Sequence, residues 1–183
     1  MSKALLPALF AAALSLWAAD ATAQTPGRLS VDLGIGRGLG TGDGWYMDNG
    51  KGITGDVLVS YRLRDLGSGG LLVGANAGIQ GTSAYATICT IGPEEGCLAP
   101  FPQFGIFAAA VGWESSGGNL RAFVGPALVH ADATAAAVFG RGDVALPLFS
   151  RVSAVLGLRG TVVPDYRGDP FYLGSLSIGL RIR

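Results

Sequence analysis

His130 is the only histidine of this 183-residue chain, and Asp132 stands two positions beyond it. A histidine beside an acid is half of a general-base pair, but covalent catalysis also needs a hydroxyl or thiol that the base can activate. The stretch reads His130-Ala131-Asp132-Ala133, so no base-activated nucleophile is in sight. The two cysteines, Cys89 and Cys97, are separated by seven residues. Metal binding needs more ligands than they offer. In an oxidising compartment they are expected to form one disulfide, stabilising their loop by roughly 2–3 kcal/mol. Asp43, Asp48 and Asn49 miss the spacing of a calcium loop, and Asn49-Gly50 reads better as a turn. Arg-Gly-Asp occurs at 141–143 and 167–169, only the second in an expected loop, and Gly-Asp is ordinary turn chemistry. No catalytic residue, cofactor or metal site is therefore expected, and the chain is not read as an enzyme.

A larger set of ionisable residues follows a different logic. Asp32, Asp56, Arg62, Glu114, Arg121, Arg141, Asp143, Arg159 and Arg181 all fall on the polar side of segments that alternate apolar with small or polar residues. Side chains of a strand point to opposite faces with period two, so such a segment is a strand with one greasy and one polar face. In the last one, Tyr172, Leu176, Ile178, Leu180 and Ile182 share one face, and Ser175, Ser177, Gly179, Arg181 and Arg183 the other. About eight such strands are expected: 29–38, 53–63, 71–82, 101–114, 119–130, a sixth emerging from the alanine-rich 131–138 and reaching 146, a seventh starting at 152, and 172–183. Their connectors alternate long, short, long, short.

Residues 1–23 read as an export signal: Lys3, an apolar stretch from Leu5 to Ala19, then Ala21-Thr22-Ala23 before a mature start near Gln24. Losing them removes one base, Lys3, and one acid, Asp20, so residues 24–183 keep a formal charge of zero. That gives no basic excess for nucleic acid. The mean hydropathy is +0.42, yet no later stretch approaches the ~18 apolar residues of a membrane helix. Thirty glycines also count against helices, where each costs about 1 kcal/mol relative to alanine. In hydrocarbon every backbone polar group must be paired internally, and a closed barrel is the non-helical way to do so. The fold class expected is an all-β, eight-stranded antiparallel up-and-down transmembrane barrel, filling residues 24–183.

With an even strand number and a periplasmic start, the long connectors lie outside and the short turns inside, as in barrels of a Gram-negative-type outer membrane. Tyr61, Trp113 and Phe149 then fall near periplasmic strand ends and Tyr85, Phe101, Phe171 and Tyr172 near outer ends, as two interfacial girdles. The chain thus resembles the small eight-stranded outer-membrane barrels of the OmpA transmembrane-domain and OmpX type. The family's C-terminal assembly signal implies the barrel assembly machinery as a partner. Ser177-Ile178-Gly179-Leu180-Arg181-Ile182-Arg183 follows its order but lacks the terminal aromatic.

Eight strands leave an interior just wide enough for side chains. The nine charges named above would fill it as ion pairs, giving a monomer in outer-membrane lipid with a plugged lumen and an envelope-structural or surface-contact role. An open diffusion porin would need about 16 strands. Two other readings are weaker. A secreted lipocalin-like barrel would carry Gly-x-Trp near its start, but the order here is Gly42-Asp43-Gly44-Trp45. A lipid A deacylase pattern resembles His-x-Ser-Asn, where this chain has His130-Ala131-Asp132-Ala133.

Overall fold

The computed structural model describes residues 28–42, 52–81, 103–131, 133–166 and 169–183. The expected signal segment, Cys89 and Cys97, Tyr85 and Phe101, Asp43, Asp48, Asn49, Asp132, Arg167 and Gly168 lie outside the described residues. Eight strands run in chain order: β1 Leu29–Gly42, β2 Gly52–Leu66, β3 Gly69–Gly81, β4 Gln103–Ser115, β5 Leu120–His130, β6 Thr134–Pro147, β7 Val152–Tyr166 and β8 Asp169–Ile182. Each pairs antiparallel with the next, and β8 pairs with β1 to close the barrel.

Alternation puts each residue on its face. Along β5, Arg121, Phe123, Ala127 and Val129 are buried inside, while Leu120, Val124 and Leu128 are exposed outside. Several strands run past the limits that alternation suggests. β1 continues to Gly42, where it is still paired with Phe171, and β7 and β8 extend toward each other as far as Tyr166 and Asp169. Backbone pairing does not need an apolar side chain, so a ladder can continue into polar sequence. The alanine-rich stretch turns into β6 at Thr134.

At one end of the barrel residues 43–51 and 82–102 make the long connections after β1 and β3, whereas only residues 131–133 and 167–168 separate β5 from β6 and β7 from β8. The expected long–short alternation of connectors thus holds only for the first half of the chain. The other end is closed by short turns. Gly67 and Ser68 join β2 to β3, residues 116–119 join β4 to β5, and residues 148–151 join β6 to β7. In the second of these, Gly118 sits at φ +71°, a left-handed conformation that a residue without a Cβ adopts at little cost. Its N–H donates to the Ser115 carbonyl at 2.9 Å. The β4–β5 ladder skips Ala109 and Ala110 opposite Gly125 and Pro126. Pro126 has no N–H to offer, and such a break is where a strand tolerates proline.

The register sets the barrel's shape. Cross-strand partners lead from Leu29 through Tyr61, Val73, Val111, Val124, Gly140, Gly160 and Gly174, and return to β1 at Leu39, ten residues further along. This stagger tilts the strands by roughly 35–45° and leaves a narrow interior.

Strands approach closely at the β8–β1 seam, as β4 and β5 do at Gly125. A Cβ on Gly179 would overlap the Leu33 carbonyl, and one on Gly36 the Leu176 carbonyl. Gly36→Ala and Gly179→Ala should each cost about 1–3 kcal/mol, an overpacking effect, and lower the folded fraction measured by urea titration. Gly160→Ala, with nothing within 4 Å of the added Cβ, should leave it unchanged.

Candidate functional site

The apolar side chains of this barrel are on the outside. Every strand contributes at least two exposed large hydrophobic residues, from Leu33, Ile35 and Leu39 on β1 to Leu176, Ile178, Leu180 and Ile182 on β8. Ile53 is 74% and Ile178 64% exposed. A soluble domain rarely exposes contiguous apolar surface beyond a few hundred Å². Here the greasy surface circles the molecule.

The charges are inside. Asp32, Asp56, Glu114, Arg121, Arg141, Asp143, Arg159 and Arg181 are all buried. Eight of the nine expected lumen residues join in one chain of alternating sign. Arg62 meets Glu114 at 2.7 Å, Glu114 meets Arg121 at 2.7 Å, and Arg121 lies 3.8 Å from Asp32. Asp32 takes bonds of 2.8, 3.1 and 2.8 Å from the Nε and Nη2 of Arg181, whose Nη2 also reaches Asp143 at 3.2 Å. Asp143 accepts from Arg141 Nε at 2.8 Å, and Arg141 pairs with Asp56 at the far end. This chain ties together β1, β2, β4, β5, β6 and β8. Each buried ion thereby has an opposite partner, which its desolvation demands.

Arg159 is the exception. Its Nη2 donates to Thr54 Oγ1 at 2.6 Å and Gln80 Oε1 at 3.3 Å, but it has no ion-pair partner among the described residues. Among the described residues its Nε and Nη1 have no hydrogen-bond acceptor, and the buried hydroxyls of Thr161 and Ser175 are also unpartnered.

Glycines make the room for these long side chains. A Cβ on inward-facing Gly34 would lie 2.9 Å from Asp56 Oδ1, and one on Gly157 2.9 Å from both Asp143 Oδ1 and Ser177 Oγ. At Gly78 it would lie 2.6 Å from Arg159 Nη1. Bulk given to the ions is taken from the facing strands.

The network occupies the half of the interior toward the short turns. Toward the long connections apolar side chains dominate: Phe104, Ile106, Val129, Phe139, Val163, Phe171 and Leu173 belong to one buried cluster, with Thr54, Gln80, Thr161 and Ser175 buried among them. Phe104 of β4 and Phe171 of β8 meet across the barrel with ring centroids 5.1 Å apart. Phe171 therefore does not belong to the outer girdle expected for it. β8 alternates, so Phe171 points inward where its neighbour Tyr172 points outward, and it is only 2% exposed. Of the other girdle residues, Trp113, Phe149 and Tyr172 are exposed and Tyr61 is half-buried.

That inside-out distribution on a closed eight-stranded barrel can be compared with known structures. The chain is similar in fold to Neisserial surface protein A (NspA). The crystal structure of that protein superimposes with a TM-score of 0.56 at 13% identity, covering 84% of this chain and 96% of that chain. The likeness is one of fold. No family model and no curated protein matches the sequence.

The remaining motifs resolve into structure. The first Arg-Gly-Asp lies on β6, with Arg141 and Asp143 both buried in the network. His130 does meet a hydroxyl, with Nδ1 2.8 Å from Thr134 Oγ1, but the two are the cross-strand partners that close the β5–β6 hairpin. Arg183, placed by alternation on the polar face but not among the nine expected lumen charges, reaches across the turn end to Glu114 at 2.7 Å and to the Gly118 carbonyl at 2.8 Å. Polar neutral side chains complete the interior. Ser30 and Ser60 share a 2.9 Å hydrogen bond, and Arg121 Nη1 donates to both. Alternation alone had marked those inward positions.

Proposed function

We propose that this protein is an integral β-barrel of a Gram-negative-type outer membrane, with a plugged interior and an envelope-structural or surface-contact role through the connections at its long-loop end. The observation that carries the reading is the reversal of polarity. Apolar side chains face out on all eight strands, and ion pairs fill half of the interior. In water that arrangement would expose the greasy face; in hydrocarbon it is what a spanning barrel needs. The short turns then face the periplasm and the β8 end of the chain engages the assembly machinery. The buried apolar cluster around Phe104 and Phe171, filling the interior beside the ion-pair network, supports a plug.

In this reading residues 1–23 are a cleaved export signal, and Cys89 and Cys97 form a disulfide in the outer loop between β3 and β4. The test of the whole is gel mobility of membrane-fraction protein in SDS with and without boiling. A closed barrel should run at a different apparent mass until it is heated. A mobility independent of heating, with the protein recovered soluble from periplasm or medium, would overturn the reading in favour of a secreted ligand-binding barrel.

A further inference from the structure

The outer face of β1 carries Leu33, Ile35, Arg37 and Leu39 in succession, so alternation turns one guanidinium toward the same side as three apolar neighbours. Arg37 is exposed. Its cross-strand partners are Ile53 on β2 and Leu176 on β8, 74% and 55% exposed. It makes no ion pair or hydrogen bond with another described residue. The other exposed charges with described side chains, Arg64, Asp65, Arg151, Asp165 and Arg183, lie in turns or near strand ends. Arg37 alone among them interrupts the apolar belt.

Its depth matters. Arg37 lies in the half of β1 toward the long connections, and Tyr172, exposed on the same face, pairs with Thr41 four residues further along. An amphipathic ring marks the boundary of hydrocarbon and headgroup. A long, flexible arginine below that boundary lays its stem along the apolar surface and raises its charged head to the interface. The groups waiting there are headgroup phosphates, which a guanidinium binds through paired, charge-assisted N–H···O bonds.

Resting on the membrane reading above, we propose that Arg37 anchors the phosphate of an anionic lipid in the leaflet at the long-loop end. The site is a single guanidinium set in an apolar surface formed by Ile35, Leu39, Ile53 and Leu176, against which the acyl chains of the same lipid pack. A soluble phosphate gains nothing from that surface, so the lipid is the favoured occupant.

The experiment uses the full chain, Arg37→Leu and the rim control Arg64→Leu, each refolded into phosphatidylcholine vesicles with and without phosphatidylglycerol. Heat-dependent gel mobility first reports whether each has folded. Failure of the unaltered chain to fold into any vesicle would sink the membrane reading itself. Lipid retained after transfer to neutral detergent is then measured by native mass spectrometry. The unaltered chain and Arg64→Leu should retain phosphatidylglycerol at least several-fold over phosphatidylcholine, and Arg37→Leu should lose that preference while folding at least as well. Equal preference in Arg37→Leu would overturn the proposal. So would displacement of the retained lipid by millimolar inorganic phosphate, which would assign the guanidinium to free phosphate.

Discussion

Arg181→Met should lower the stability of the folded barrel by about 3–5 kcal/mol, the cost of removing one partner from a buried ion pair. Arg181 is fully buried and links two carboxylates, Asp32 through a bidentate contact and Asp143 through a single one. Without it Asp32 keeps only the 3.8 Å contact with Arg121, too long for a hydrogen bond. Arg159→Met is the matched comparison. It removes another buried guanidinium that, among the described residues, has no carboxylate in ion-pair contact and two unpartnered nitrogens. Its loss relieves the desolvation of a guanidinium without a contact ion pair among the described residues and sacrifices the bonds to Thr54 and Gln80. The net change should stay within about 1 kcal/mol. Urea unfolding of both variants in detergent micelles measures the difference. Equal losses would show that the two arginines contribute through packing volume and that pairing is immaterial.

An arginine placed on the outer face should act through depth. Leu156 and Ile178 are cross-strand partners four residues in from the turn-end limits of β7 and β8, both exposed. Leu156→Arg or Ile178→Arg should cost about 2–4 kcal/mol in a bilayer, whereas Leu146→Arg, near the turn end of β6, should cost about 1 kcal/mol or less. Folded yield in phosphatidylcholine vesicles, followed by heat-dependent mobility, reads both. If the three variants fold equally well, the apolar belt does not face lipid. An arginine at inward-facing Ser177 would test something else, since that side chain is buried against the space left by Gly34 and Gly157.

The strands and their facing were legible because alternation is a local property. Arg141 and Asp143 could be assigned to the inner face from the period of β6 alone, and so could Asp32, Asp56 and Arg181 from theirs. Strand ends were less legible. β1, β7 and β8 continue into polar residues because their ladders are held by backbone groups that leave no mark in the side-chain pattern. Phe171 illustrates the same limit. An aromatic at a strand end suits an interface, but one residue of register decides between lipid and lumen, and β8 turns it onto Phe104.

What the sequence determined by itself is the inside-out barrel: which residues alternate, how many strands there are, and that the ionisable residues share the face opposite the apolar one. The tertiary structure decided who meets whom. Arg181 of β8 and Asp32 of β1 are separated by 149 positions in the chain, and they become neighbours only because the last strand closes on the first with a ten-residue stagger. The same closure brings Phe104 against Phe171 and leaves Arg159 beyond the last carboxylate. Period two assigns a side chain to a face, but its height in the barrel follows from tilt and register summed over every strand. That sum is a property of the closed ring, and no segment carries it alone.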